Sequence, residues 1–256
     1  MDGRIAVLAG VAALAVVIAW WVPPVPQDPA YHRFADTRLL LGVPNALDVL
    51  SNVAFLFAGV VGLGRVLSRG RVVFVDARER WPWAVFFTGL TLTALGSAWY
   101  HLAPDNARLV WDRLPMTVGF MGLFAAMLAE RVGPRVGVVL VAPLLAAGAG
   151  SVLWWHWGEL AGRGDLRPYG LVQFFPMLAI PLLAWLYPPR YTHGGCWGLA
   201  VLFYALAKGF ELADAQVLAL GNLMSGHSLK HVMAARAGGI LGRMLALRQA
   251  AVGGRR

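Results

Sequence analysis

Ser225-Gly226-His227-Ser228-Leu229-Lys230-His231 sets two imidazoles four residues apart inside an otherwise membrane-like chain. Residues four apart share one face of a helix, so His227 and His231 can grip one ion together. Polar groups at membrane depth are costly and are usually kept for function. Working outward from this stretch, His101 closes another apolar segment and Asp112 opens the next. Three histidines and a carboxylate are the parts of a hydrolytic zinc centre.

Composition supplies the setting. Of 256 residues, 59% are hydrophobic and only 14% charged, whereas soluble domains carry about 25% charged residues. The chain therefore reads as an integral, multi-pass membrane protein, all-α, folded as one polytopic transmembrane helix bundle. Its net charge of +9 comes with arginines concentrated in loops and at the C-terminus, which points to topology and anionic lipid contact and to no nucleic acid. The single cysteine, Cys196, excludes an intrachain disulfide and a cysteine metal cage.

Hydropathy predicts eight spans, roughly 5–22, 44–67, 81–100, 114–129, 136–157, 169–187, 196–212 and 223–247, each near the ~20 residues that cross a bilayer. Trp20, Trp21, Trp81, Trp83, Trp154, Trp155, Trp157 and Tyr187 lie near span ends, as interfacial anchors do. Arg4 ahead of an apolar run is also a signal-peptide pattern. Val22-Pro23-Pro24 follows where a small-residue cleavage site would stand, so the run reads as an uncleaved anchor. The last span is the least apolar, since it carries His227, Lys230, His231 and Arg236. Its polar side should face the bundle interior.

Arginine bias orients the bundle. Arg65, Arg69, Arg71, Arg78 and Arg80 fill one loop, Arg131 and Arg135 another, and Arg243, Arg248, Arg255 and Arg256 the tail. With eight spans these fall on one side, which the positive-inside rule makes cytoplasmic. Both termini are then cytoplasmic, as in a bacterial inner-membrane protein. His101, Asp112, His227 and His231 all come to the outer ends of their helices, level with Asn45, Asp48 and Asn52. Scattered core histidines would have no reason to agree in depth.

Asp48-Val49-Leu50-Ser51-Asn52, Ser97-Ala98-Trp99-Tyr100-His101, Trp111-Asp112-Arg113-Leu114-Pro115-Met116 and the stretch Ser225 to His231 resemble, in this order, the alkaline ceramidase family. That family belongs to a wider group of seven-helix membrane hydrolases with the adiponectin receptors and the Per1-like lipid remodelling proteins. The resemblance covers roughly 36–248 as a catalytic domain, with 1–35 as an added N-terminal anchor and loop and 249–256 as a basic tail. It implies a seven-helix hydrolase core plus one extra helix, and a zinc site built from Ser97, His101, Asp112, His227 and His231. The acidic tryptophan-containing motif of the animal ceramidases' calcium site has no match before Asn45, and no calcium is carried over.

The residues argue the same chemistry by themselves. Three histidines leave a fourth tetrahedral position open, the mark of a catalytic zinc, Zn2+, rather than a structural one. Asp112 is the natural general base for a water there and the later proton donor to a leaving amine. Ser97, four residues before His101, shares its face and can reach the water or a developing oxyanion. Lys208, Glu211 and Asp214 stand at three-residue spacing, where they either pair with one another or, as Glu211 or Asp214, orient a ligand histidine. Asp48 likewise orients a histidine or caps its helix. Lys230 lies about 60° round the helix from His227 and about 100° from His231, where it can meet a lipid phosphate or a carboxylate. His32, His156 and His193 read as interfacial, and Gly59, Gly62, Gly96, Gly148 and Gly238 as seams of close helix packing.

These parts point to a zinc-dependent amide hydrolase of ceramide or a related N-acyl lipid, entering from the bilayer. The alternatives are a lipid-remodelling esterase and a metal-containing membrane receptor of the same wider group. A closed structural site would need a fourth firm ligand, and no further histidine or cysteine occurs at that depth.

Overall fold

The computed structural model describes residues 3–68, 70 and 72–251. Arg69 and Arg71 of the arginine loop, and 252–256 of the basic tail with Arg255 and Arg256, lie outside the described residues. The described residues form ten α-helices: α1 (Gly3–Trp21), α2 (Ala46–Leu50), α3 (Val53–Leu67), α4 (Arg80–Leu102), α5 (Asn106–Arg131), α6 (Pro134–Leu160), α7 (Arg167–Leu186), α8 (Gly195–Leu212), α9 (Asp214–Ala219) and α10 (Gly226–Leu247). The all-helical bundle expected from the sequence is present.

Five stretches are long and apolar enough to cross a membrane: Gly3–Trp21, Ala46–Leu67, Pro134–Leu160, Arg167–Leu186 and Gly195–Leu212. They turn large apolar side chains outward, with Trp21, Trp185 and Leu212 at 88%, 81% and 85% exposure, as a lipid-facing surface requires. α4, α5 and α10 are not among the five. These are long too, but they carry the polar site and bury it. Most of α5 is enclosed by its neighbours, so it needs no uniformly apolar surface. α4 packs mainly on α5, and α10 packs on α8 and α3, while α1 rests on α7 without burying a residue.

Close packing at the centre depends on missing side chains. A Cβ at Gly96 on α4 would collide with the Trp111 carbonyl on α5, and the other four glycines expected at seams also abut neighbouring helices. The resulting approach brings Ser97 of α4 to Asp112 of α5.

Three boundaries differ from the hydropathy reading. α5 begins at Asn106, not near 114, because Asp105 caps it by accepting from the Arg108 N–H at 2.7 Å. Asp112 therefore lies inside a helix rather than opening one. α10 begins after Ser225, whose hydroxyl accepts from the Ser228 N–H at 3.1 Å. The second span is broken into α2 and α3. Asn52 Nδ2 and Ser51 Oγ both donate to the Asp48 carbonyl, at 2.8 and 3.1 Å. Short polar side chains of this kind compete with helix backbone bonds and open the turn.

The segment between α1 and α2 crosses the end of the bundle that holds the histidines. Gln27 N–H donates to Glu159 Oε1 at 2.6 Å, Asp28 caps a 3-10 turn at Pro29–His32, and Ala35 N–H donates to Asp214 Oδ2 at 2.9 Å. Asn45 adopts the left-handed conformation that asparagine tolerates, with φ of 46°, and its Nδ2 donates to the His101 carbonyl at 2.8 Å. The roof is thereby tied to α4, α6 and α9.

Candidate metal centre

His101 sits one residue before the end of α4, and His227 and His231 sit on the first two turns of α10. The antiparallel packing brings all three together, buried, with one ligand nitrogen from each within 4.8 Å of the others. His101 Nε2 and His227 Nε2 are 3.3 Å apart. Two nitrogens each about 2.0–2.1 Å from one tetrahedral ion stand about 3.3 Å apart, so this pair already has ligand spacing. Without a proton or cation between them, two neutral imidazoles would point lone pairs at each other.

The third ring is oriented by the break between α2 and α3. His231 Nδ1 lies 2.8 Å from Ser51 Oγ, and the Asp48 carbonyl accepts from the same ring. Ser51 Oγ already gives its one proton to the Asp48 carbonyl at 3.1 Å, so it accepts from Nδ1–H, and the Nε2 lone pair is left to the other histidines. Phe34, from the roof, packs on His101 and His227 at 4.6 and 4.5 Å between ring centroids, shielding them from outside. These three buried neutral donors can hold a metal ion.

Asp112, buried on α5, accepts a hydrogen bond from the Ser97 hydroxyl. Ser97, Asp112 and His231 together line a cavity of about 330 Å³, a size typical of small-molecule sites. Its far walls are apolar, with Phe86, Leu123, Met177, Ile180, Trp197 and Leu241 contributed by α4, α5, α7, α8 and α10. Lys208, Glu211, Lys230 and Arg113 stand on the same lining beside the histidine.

The residues expected to orient histidines are present but act otherwise. Asp48 meets His231 through its backbone carbonyl, while its carboxylate Oδ1 accepts from Ser228 Oγ at 2.6 Å and Ser225 Oγ at 3.3 Å. Asp214 accepts from the His227 backbone N–H at 2.7 Å, not from a ring. This grip needs Gly226, since a Cβ there would meet the Phe210 carbonyl and the Asp214 backbone. Glu211 touches no histidine; it bridges Lys208 and Lys230, the latter at 2.8 Å. Lys208 pairs with Glu211, one of the two arrangements their spacing allows, and the third partner is Lys230 rather than Asp214.

His156 and His193 lie away from the triad. His32 is no bare interfacial residue: its ring nitrogens contact Tyr100 Oη and Asn106 Oδ1, each at 2.9 Å, pinning the roof over the site. Sequence reasoning missed Ser51 and Phe34. Ser51 lay within a quoted block, and its signal is a polar pair interrupting an apolar run. Phe34 carries no local signal. No family model matches the chain, and no curated protein matches it.

Proposed function

We propose that the chain is an integral membrane hydrolase that cleaves the amide of an N-acyl lipid, ceramide or a relative of it, with zinc on His101, His227 and His231. The observation that carries this reading is the convergence of three imidazoles, one of which, His231, lines the same largely apolar cavity as Ser97 and Asp112. Zinc held there supplies a Lewis acid and lowers the pKa of a water towards about 7.

The chain's own groups do the rest. Asp112 takes a proton from the attacking water and returns it to the amide nitrogen. The water oxygen joins the carbonyl carbon, the C–N bond breaks, and a fatty acid and an amine leave. Ser97 gives its one hydroxyl proton to Asp112, so its first task is to position that carboxylate. The acyl chain lies along the apolar walls, and Phe34 with the roof keeps bulk water from the histidines.

Eight spans, counting α2 with α3 and including α4, α5 and α10, put both termini in the cytoplasm, as in a bacterial inner-membrane protein. The site then opens towards the other leaflet. In a Cys196→Ser background, an impermeant thiol reagent applied from outside should label a cysteine at Asp105 and spare one at Asp76. The reverse pattern would invert the orientation and leave the chemistry standing.

Lipid mass spectrometry after incubating the purified protein with a mixed membrane extract tests the activity. Loss of an N-acyl lipid with matching gain of fatty acid and long-chain amine is the expected result. Release from ester lipids alone would make the protein a remodelling esterase, and an unchanged lipid profile would defeat the hydrolase reading.

A further inference from the structure

The cavity lining carries more positive charge than its partners account for. Three cations reach it, Arg113, Lys208 and Lys230, against two carboxylates, Asp112 and Glu211. Glu211 is shared between the two lysines, so one of these ammonium groups has no carboxylate of its own on the lining. Each lysine also keeps donors beyond the one it gives to Glu211.

Arg113 is the stronger signal. It is only 4% exposed, and its guanidinium lies over the rings of Trp155, Tyr169 and Tyr31 at 4.2, 4.8 and 5.5 Å. Nη2 donates to Gln27 Oε1 at 2.7 Å, while Nη1 is buried with no hydrogen-bond partner among the described residues. A buried guanidinium bracketed by aromatic rings, with one donor unspent, keeps its charge beside the cavity and suits a nearby oxyanion. An uncompensated buried charge is otherwise expensive to keep.

We propose that this cavity selects an amide lipid whose amine-side head carries an oxyanion, a carboxylate or a phosphate, over one with a neutral head, and that Lys230, Lys208 and Arg113 recognise that anion. The proposal rests on the hydrolase reading for where the amide lies, and the charge of the head is its own claim. The oxyanion meets the cations beside His231, the amide faces Asp112, and the acyl chain fills the apolar walls.

The purified full-length protein is given N-palmitoylglycine, its neutral methyl ester, and N-palmitoyl phosphoethanolamine. The anionic amides should be cleaved with kcat/KM at least about tenfold above the ester, the effect of roughly one charge-assisted hydrogen bond. The better of the two anions identifies carboxylate or phosphate as the natural head. In Lys230→Gln and Arg113→Gln the preference should shrink mainly through KM, and zinc content should not change. Equal cleavage of acid and ester would overturn the anion site and leave the hydrolase intact. If none of the three is cleaved, the lipid-extract experiment decides the hydrolase reading and binding decides the anion site. Hexadecyl phosphate bound at least about tenfold tighter than hexadecanol supports it, and equal affinity overturns it.

Discussion

The bundle holds a buried polar cluster at each end, and the two are built on opposite rules. At the end away from the histidines, four carboxylate oxygens each meet a donor. Glu79 takes Arg190 at 3.2 Å and Tyr191 Oη at 2.5 Å, and Glu130 takes Trp197 Nε1 at 3.3 Å and Arg248 at 3.0 Å. Arg248 also stacks on the Tyr191 ring at 3.8 Å. At the histidine end, three imidazole nitrogens converge, and Asp48 Oδ2, Asn52 Oδ1 and His101 Nδ1 have no hydrogen-bond partner among the described residues, whereas at the other end Arg248 Nη2 alone of the four donor side chains keeps an unmatched nitrogen. Opposite charges that satisfy one another hold helices together. Like donors that converge need something else to complete them. The first cluster is a structural clasp between α5, α10 and the loop before α8, and the second can hold a metal ion.

Mutations should separate the two accordingly. The largest effect is expected from Asp112→Asn, which keeps the carboxyl's shape but cannot take a proton. Turnover should fall by up to about 10⁴-fold, with zinc retained and the melting temperature little changed. Zinc loss with unchanged turnover per bound metal would make Asp112 a ligand instead.

Arg248→Ala leaves Glu130 buried with only the longer Arg131 ion pair at 3.8 Å, so the loss should approach the ~3–5 kcal/mol of a broken buried pair. Stability in a denaturant or thermal series should drop, while turnover per folded molecule stays near wild type. A lost activity at unchanged stability would show that the clasp takes part in the chemistry.

How much of this contrast the sequence could show depends on how local each signal is. The helices and the histidine pair were legible because hydropathy and i,i+4 spacing act within one segment. The common depth of His101, Asp112 and His227 followed from alternating helix direction. The clasp was not legible, since Glu79, Glu130, Tyr191 and Arg248 are brought together only by tertiary packing. Nor was the roof, because Phe34 lies in a loop whose path is set by distant partners such as Glu159 and Asp214. Hydropathy also trimmed α5, whose polar first turns are helical by virtue of the Asp105 cap. Glu211 was legible in part: spacing along α8 allows its pairing with Lys208, but only the fold supplies Lys230.

A smaller effect tests how the metal end is tuned. Ser51→Ala removes the hydroxyl beside His231 Nδ1 but keeps the Asp48 carbonyl. Zinc affinity, measured by competition with a chelator, should weaken by about 10–100-fold, as for other groups that orient a ligand histidine. An unchanged affinity would mean that the carbonyl alone sets the ring.

The central claim is that the unsatisfied cluster is a zinc site. Metal analysis of the protein, purified without added chelator, should find about one zinc per chain. The His227→Ala, His231→Ala double variant should hold none, with helical content unchanged because its clasp is intact. Full zinc occupancy in that double variant, or a metal-free wild type with full turnover, would contradict the account.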